Sequence, residues 1–266
     1  MPLAVNQGVR IHYETVGQGP PLVMQYGQYF PLDVWYEHHY IDALQSVFRL
    51  ILVDARGQGD SDKPYDPAAY RLEVMANDIL SVLDALGVDK AHYMGYSSGG
   101  YLGFILAKYA QQRLLSLILG GTEPYLGPDL DAELAWHTEQ ASKLEQQSAA
   151  DFVAGLEGFL ISQGLPPLTS RLRSGMLKHD THALAAWHRA VVQGTSKCDD
   201  ILGSIVVPCL LYAGENTSEY ANARRAAQEI PGAAFVGIPD GGHLEGGTWI
   251  DILRPNIIQL VKDLGG

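Results

Sequence analysis

The run Met94-Gly95-Tyr96-Ser97-Ser98-Gly99-Gly100 places a serine where it can act as a nucleophile. The pattern G-x-S-x-G forces Ser97 into a sharp strand-to-helix turn that lifts its hydroxyl above a sheet edge. Gly95, Gly99 and Gly100 bring no Cβ atoms, so the backbone can double back there. The flanks fit that geometry: Lys90 to Met94 suits a short buried strand and Tyr101 to Ala110 a helix. A helix beginning there turns free N–H groups toward the serine, where a developing oxyanion could sit. An alcohol is a poor nucleophile at neutral pH, so this chemistry also needs a base. Histidine is the usual one, and the chain has nine.

The elements that must position Ser97 follow from periodicity. Val9 to Val16 alternates, as a half-buried antiparallel strand does. Leu22 to Tyr26, Arg49 to Asp54 and Leu114 to Leu119 are mostly continuous apolar runs, expected of strands covered on both faces. Helices are expected over Val34 to Val47 and over Tyr70 to Leu86, the second ended by Gly87. Asp54 to Pro64, DARGQGDSDKP, is a loop whose Asp and Arg side chains can brace glycine turns. From Pro124 to about Asp200 the alternation of strand and helix stops. That stretch reads as helices over Leu130 to Gln147, Ala149 to Gln163, Leu168 to Lys178 and Thr181 to Gln193, with Pro166-Pro167 between two of them. It is too long for a plain connection and is expected to be an inserted helical lid. The alternation resumes with Val207 to Ala213, a helix near Glu219 to Glu229, the strand Ala233 to Ile238, and a last helix from Trp249 to Leu264. The expected fold class is α/β: a mostly parallel, eight-stranded sheet with helices on both faces. The core takes residues 1–123 and 201–266, and the lid 124–200.

The 266 residues suffice for one large α/β domain with an inserted cap. A net charge of −12 leaves no basic patch for phosphates, so neither nucleic acid nor an anionic membrane is an expected partner. Cys198 and Cys209 form no disulfide framework, and Cys209 lies in an apolar run as a core thiol does. Met1 to Arg10 lacks the features of a signal peptide, and no apolar run is long enough to span a bilayer. These features set the expectation of a cytoplasmic protein.

The sequence resembles the α/β-hydrolase superfamily over nearly its whole length. The resemblance is carried by GYSSGG at Gly95, DARGQGDSDKP at Asp54, the helical stretch after the sixth strand, and Gly241-Gly242-His243. The D-x-R-G-x-G-x-S-D-K-P run is most similar to the lidded branch that holds epoxide hydrolases, haloalkane dehalogenases, enol-lactonases and small esterases. Epoxide hydrolases and dehalogenases place Asp at the nucleophile position. Serine at 97 argues for acyl transfer instead.

The resemblance implies Ser97 as nucleophile and His243, after the last strand, as its base. The order Ser…acid…His requires that placement. It implies oxyanion donors at the backbone N–H groups of Ser98 and Gln28. The chain departs from the family at two places. Tyr26-Gly27 stands where His-Gly is common, and Tyr26 either packs or offers its hydroxyl to substrate; Gln25, Gln28 and Tyr29 make this rim polar and bulky. The triad acid is expected after Leu210 to Ala213 as Gly-x-x-Asp, but the chain reads Gly214-Glu215-Asn216-Thr217 and has no Asp before Asp240. An imidazolium without a carboxylate loses its stabilising partner. Four replacements stand open: Glu123 after the sixth strand, Asn216 through its amide oxygen, Glu215 or Glu219 from the same loop, or no third member at all.

Three functions are consistent with these residues. The first is a serine hydrolase acting on a small-molecule ester, lactone or related acyl bond, with no cofactor and no metal. His179 and His182 are three apart, but no acidic motif of ligand spacing accompanies them. The second is a ligand-binding or receptor-like protein on a hydrolase scaffold, motivated by the missing Asp at 217. The third is a non-hydrolytic lyase or acyltransferase reusing Ser97 and His243. Tyr26, Tyr29, Trp136 and Trp187, with Phe152 and Phe159, are the candidates for an apolar substrate pocket.

Overall fold

Apolar runs bounded by turns become a single eight-stranded sheet in the order β1-β2-β4-β3-β5-β6-β7-β8. The computed structural model describes residues 2–127, 129–194, 197–244 and 249–262. The strands are β1 (Leu3–Asn6), β2 (Val9–Val16), β3 (Pro21–Gln25), β4 (Arg49–Val53), β5 (Ala91–Tyr96), β6 (Leu114–Gly120), β7 (Cys209–Gly214) and β8 (Ala234–Ile238). β2 pairs antiparallel with β1 and with β4, and every pairing from β4 to β8 is parallel.

Alternate residues of the central strands face opposite layers. Val23, Ile51, Tyr93, Leu117 and Leu211 pack with α3 (Leu72–Ala85), α4 (Ser98–Ala110) and α9 (Tyr220–Glu229). Leu22, Met24, Leu50, Met94, Ile118 and Leu210 pack with α1 (Asp33–Glu37), α2 (Tyr40–Leu44) and α10 (Ile250–Lys262). This is why the strands read as continuous apolar runs: both faces are covered. Between β6 and β7 lie α5 (Leu130–Leu144), α6 (Ala149–Ser162), α7 (Ser170–Met176) and α8 (Thr181–Gln193). No helix among the described residues is long and apolar enough to cross a membrane.

Three expectations need correction. β1 was not anticipated; its four residues are short and mostly exposed, so they carry little apolar pattern. The helix expected over 34–47 is two short helices broken at His39, whose φ is +60°. The helix expected from Leu168 begins at Ser170, because Thr169 takes an extended conformation and caps it, its Oγ1 accepting from Leu172 N–H at 3.2 Å. The last helix is described to Lys262, and Leu264 lies outside the described residues. Gly87 does end α3: its φ is +64°, and Val88 N–H returns to Leu83 O at 2.9 Å.

The loop 54–64 is braced as its composition suggests. Asp54 accepts from Leu32 N–H (2.8 Å), His12 Nδ1 (2.8 Å) and Asp60 N–H (3.0 Å). Arg56 is buried and makes a bidentate pair with Asp78, Nε–Oδ2 at 2.7 Å and Nη2–Oδ1 at 2.5 Å. Removing one member of such a pair leaves an uncompensated buried charge, at a cost of about 3–5 kcal/mol. The loop is therefore a fixed floor, and it reaches Gln28 through Gln58 Nε2, which donates to Gln28 Oε1 at 2.9 Å.

Candidate active site

β5 runs straight into the turn at Ser97, and α4 begins at the next residue. Ser97 has φ +55° and ψ −122°, a region that costs a non-glycine residue about 1–3 kcal/mol. Close packing holds it there. Ser97 N–H bonds Gly120 O at 2.9 Å, and Tyr93 Oη donates to Gly99 O at 2.8 Å. A Cβ on Gly95 would lie 2.2 Å from Gly99 O, and one on Gly99 would lie 2.3 Å from Gln25 O. These glycines are required by the approach of backbone to backbone.

Ser97 Oγ lies 3.1 Å from His243 Nε2, and His243 Nδ1 lies 2.5 Å from Glu219 Oε1. The loops carrying the histidine and the glutamate are fastened together. Asn216 N–H donates to Gly241 O (3.0 Å), Glu215 N–H to Ile238 O (3.0 Å), and Tyr96 Oη to the His243 carbonyl (2.6 Å). Burial by itself would raise the Glu219 carboxyl. The hydrogen bond and charge of His243 outweigh it, and the group is held below its ordinary range.

Of the open candidates for the acid, Glu219 is the one the fold brings to His243. Thr217, in the aspartate position, turns away: its N–H and Oγ1 both bond Gly214 O (3.1 and 2.8 Å). The chain then reaches Glu219 at the N-terminal end of α9. Glu123 does not meet His243. Its side chain lies toward Asn222 on α9, its Oε2 is buried without a hydrogen bond, and burial raises its pKa, with Glu219 adding to the rise. Asn216 is exposed and gives its Nδ2 to Asp240 O at 3.1 Å, and Glu215 is exposed. A hydroxyl, an imidazole and a carboxylate joined in this order can move the serine proton to Nε2 while the carboxylate fixes the tautomer.

Gly27 closes against the serine, since a Cβ there would lie 2.7 Å from Ser97 Cβ and 3.1 Å from Oγ. Gly27 thus packs beside the hydroxyl, and Ser98, the next residue after the serine, opens α4. Tyr26 packs. It is buried, stacked on Tyr96 at 5.0 Å and edge-on to Trp35 at 5.1 Å. It also lines a largely apolar cavity of about 480 Å³ with Phe30, Val34, Leu168, Leu172 and Leu244, the residue after His243. The cavity rim carries Glu37, His38, His39 and Asp251.

The other expected pocket residues lie elsewhere. Tyr29, Trp136 and Trp187 are not among the lining residues of that cavity. Trp136 is half exposed and, with Trp187, packs edge-on around His188 where α5 meets α8. Both indoles stand against the same two buried histidines, His137 and His188. Their Nδ1 atoms are 2.8 Å apart. Burial lowers both, His188 to about 3 with His137 adding to the fall. His188 Nε2 in turn hydrogen-bonds Tyr29 Oη. His179, the other buried histidine of this region, faces Gly59 N–H and the Tyr29 carbonyl. Neither contact was evident in the sequence, where these histidines carry no motif.

His12, Asp54 and Asp60 are the described residues that offer metal-type ligand atoms together, within 4.8 Å. Asp54 already accepts from three donors, and Asp60 pairs with Lys178 Nζ at 2.6 Å. The group reads as a hydrogen-bonded brace.

The alpha/beta hydrolase fold family matches residues 20–245. The chain belongs to this family. A hydrolase from Pseudomonas aeruginosa PA01 aligns with this α/β hydrolase at a TM-score of 0.83 and 29% identity, covering 97% of both chains. A putative 2-succinyl-6-hydroxy-2,4-cyclohexadiene-1-carboxylate synthase of Bacillus subtilis (strain 168) is 26% identical over 262 residues, 91% of this chain and 90% of its own. Bifunctional epoxide hydrolase 2 of Mus musculus is 31% identical over 131 residues, 48% of this chain. The match spans only 23% of that relative's length.

Proposed function

We propose that this α/β hydrolase is a serine hydrolase of carboxylic esters or lactones, working through an acyl-enzyme on Ser97. The observation that carries this reading is the unbroken chain from Ser97 Oγ through His243 to the Glu219 carboxylate, with contacts of 3.1 and 2.5 Å. In this reading Oγ attacks the carbonyl carbon and its proton passes to His243 Nε2. The tetrahedral oxyanion faces the N–H groups of Gln28 and Ser98. The C–O bond to the leaving group then breaks, and His243 returns the proton to the departing alkoxide. Water, deprotonated by His243, attacks the acyl-enzyme. The carboxylic acid leaves and Ser97 regains its proton. The four helices between β6 and β7 act as a lid. The apolar cavity beside Tyr26 and Leu244 takes an uncharged part of the substrate.

Epoxide opening, suggested by the murine relative, fits Ser97 poorly. A carboxylate nucleophile gives an ester that water can cleave, whereas a serine would give a stable ether. The synthase named in Bacillus subtilis motivates a second reading, non-hydrolytic chemistry on the same residues. A carboxylate-bearing ligand calls for cations; among the described residues the cavity lining carries Glu37 and Asp251 and no Lys or Arg, with His38 and His39 as its basic groups. The ligand-binding reading rested on the missing Asp at 217, and Glu219 fills that gap.

Mass spectrometry after treatment with a fluorophosphonate tests the proposal. The expected result is one adduct on Ser97, lost in Ser97→Ala together with turnover of p-nitrophenyl esters. An unlabelled folded protein, or turnover that survives Ser97→Ala, sinks it.

A further inference from the structure

The residue after Gln28 is held in an unfavourable conformation by the segment inserted between β6 and β7. Tyr29 has φ +77°, and a bulky side chain stays in the left-handed region only when its surroundings fix it. Two histidines do so. His179 Nε2 lies 2.7 Å from the Tyr29 carbonyl oxygen, and His188 Nε2, on α8, hydrogen-bonds the Tyr29 hydroxyl. The ring is further wedged edge-on against Phe152 of α6 at 5.1 Å.

The proton on His179 is defined by its neighbours. Its Nδ1 faces Gly59 N–H at 3.2 Å, which can only donate, and its Nε2 faces a carbonyl, which can only accept. The ring is therefore neutral with hydrogen on Nε2. It bridges the fixed floor of loop 54–64 to the backbone of Tyr29. Gln28 is tied to the same floor, since Gln58 Nε2 donates to Gln28 Oε1 at 2.9 Å.

We propose that His179 and Tyr29 are positioning residues for the oxyanion hole: His179, with His188, clamps Tyr29 in its left-handed conformation and so aims the neighbouring Gln28 N–H. The clamp rests on the acyl-enzyme reading above and adds to it. Docking of the inserted segment and assembly of the hole become one event, because the clamping side chains come from α8 and from the connection between α7 and α8, and the donor from the core.

Substitutions at His179 test the clamp. The amide of asparagine reaches about as far as Nδ1, so His179→Asn keeps a partner for Gly59 and loses the donor to Tyr29. Glutamine reaches about as far as Nε2, so His179→Gln keeps that donor. Full-length protein is assayed well below each variant's Tm, with p-nitrophenyl butyrate for turnover and a fluorophosphonate for the rate of Ser97 labelling. His179→Asn is expected to lower kcat about 10- to 100-fold, with KM within about threefold, and to slow labelling alongside, since both reactions build charge on the same oxygen. His179→Gln is expected to restore most of both rates. A lowered Tm with kcat and labelling unchanged overturns the clamp. If His179→Asn does not fold, Tyr29→Phe takes its place. It keeps ring and carbonyl but loses the His188 link, and an unchanged kcat in that variant also overturns the clamp. Wild-type protein that neither turns over nor labels at Ser97 fails the acyl-enzyme reading and the clamp with it. Labelled wild type with unaffected variants fails the clamp alone.

Discussion

Glu219 Oε1 sits 2.5 Å from His243 Nδ1, although its carboxylate comes two residues after the place where Gly-x-x-Asp would put one. The turn at Gly214 to Thr217 folds the expected position back on itself. The extra methylene of glutamate and the start of α9 then make up the distance.

Glu219→Gln is expected to cut kcat on an activated ester by about 10²–10⁴, since an amide can present the wrong group to Nδ1 and leaves the imidazolium without charge compensation. Glu123→Gln is expected to stay within about threefold, because the carboxylate at His243 Nδ1 is that of Glu219. Steady-state kinetics on both variants decides it. The assignment fails if Glu123→Gln is the more damaging of the two.

The glycines of the elbow and those of α6 make opposite expectations. Gly99→Ala drives a Cβ to 2.3 Å from Gln25 O, in a place where backbone cannot yield. It is expected to cost more than about 4 kcal/mol or to prevent accumulation of folded protein. Gly155 and Gly158 are exposed helical residues with nothing within 4 Å of an added Cβ. Alanine at either is expected to stabilise by about 0.5–1 kcal/mol. Urea denaturation of each variant measures both signs.

What could be read from the sequence divides along physical lines. The elbow was legible because backbone contact leaves Gly95 and Gly99 no alternative, so sterics show directly as residue type. The strands were legible because covering both faces forces apolar runs. Glu219 stood among several candidates, since which carboxylate meets His243 depends on a turn of the chain and on side-chain length. Apart from Tyr26, the lining of the cavity was missed for a related reason. Trp136 and Trp187 are large and apolar, as pocket residues are, yet they cover the His137–His188 pair. The break at His39 is a single left-handed residue with no glycine to announce it.

Buried neutral histidines should make this protein acid-labile in a defined window. Burial depresses His179 to about 4, against smaller opposing effects of the Tyr29 carbonyl and Asp54, with Lys63 acting in the same direction as burial. An unfolded histidine titrates near about 6.5, so as pH falls below that value the unfolded chain takes up the proton first. The stability is fully present above about 6.5 and is lost progressively toward 4, on the order of 3 kcal/mol for His179 alone. His188, at about 3, acts in the same sense to lower pH. Urea melts at several pH values between 7.5 and 4.5 should show a shallower loss in His179→Gln than in wild type. Parallel curves would refute the argument.

Chain-length selectivity checks the proposed use of the cavity. Leu168 is partly buried, lines the apolar space of about 480 Å³, and stands in the irregular segment before α7, so a larger side chain there need not disturb a helix. Leu168→Trp is expected to lower kcat/KM for p-nitrophenyl octanoate by about tenfold or more, since losing the burial of a few methylenes is worth about 1–3 kcal/mol. The acetate ester, whose acyl part is a single methyl group, should stay within about twofold. Leu168→Ala should leave acetate unchanged and tolerate longer chains. An equal fall on both esters in Leu168→Trp would mean that the substitution disturbs the reacting groups and that the substrate chain lies elsewhere.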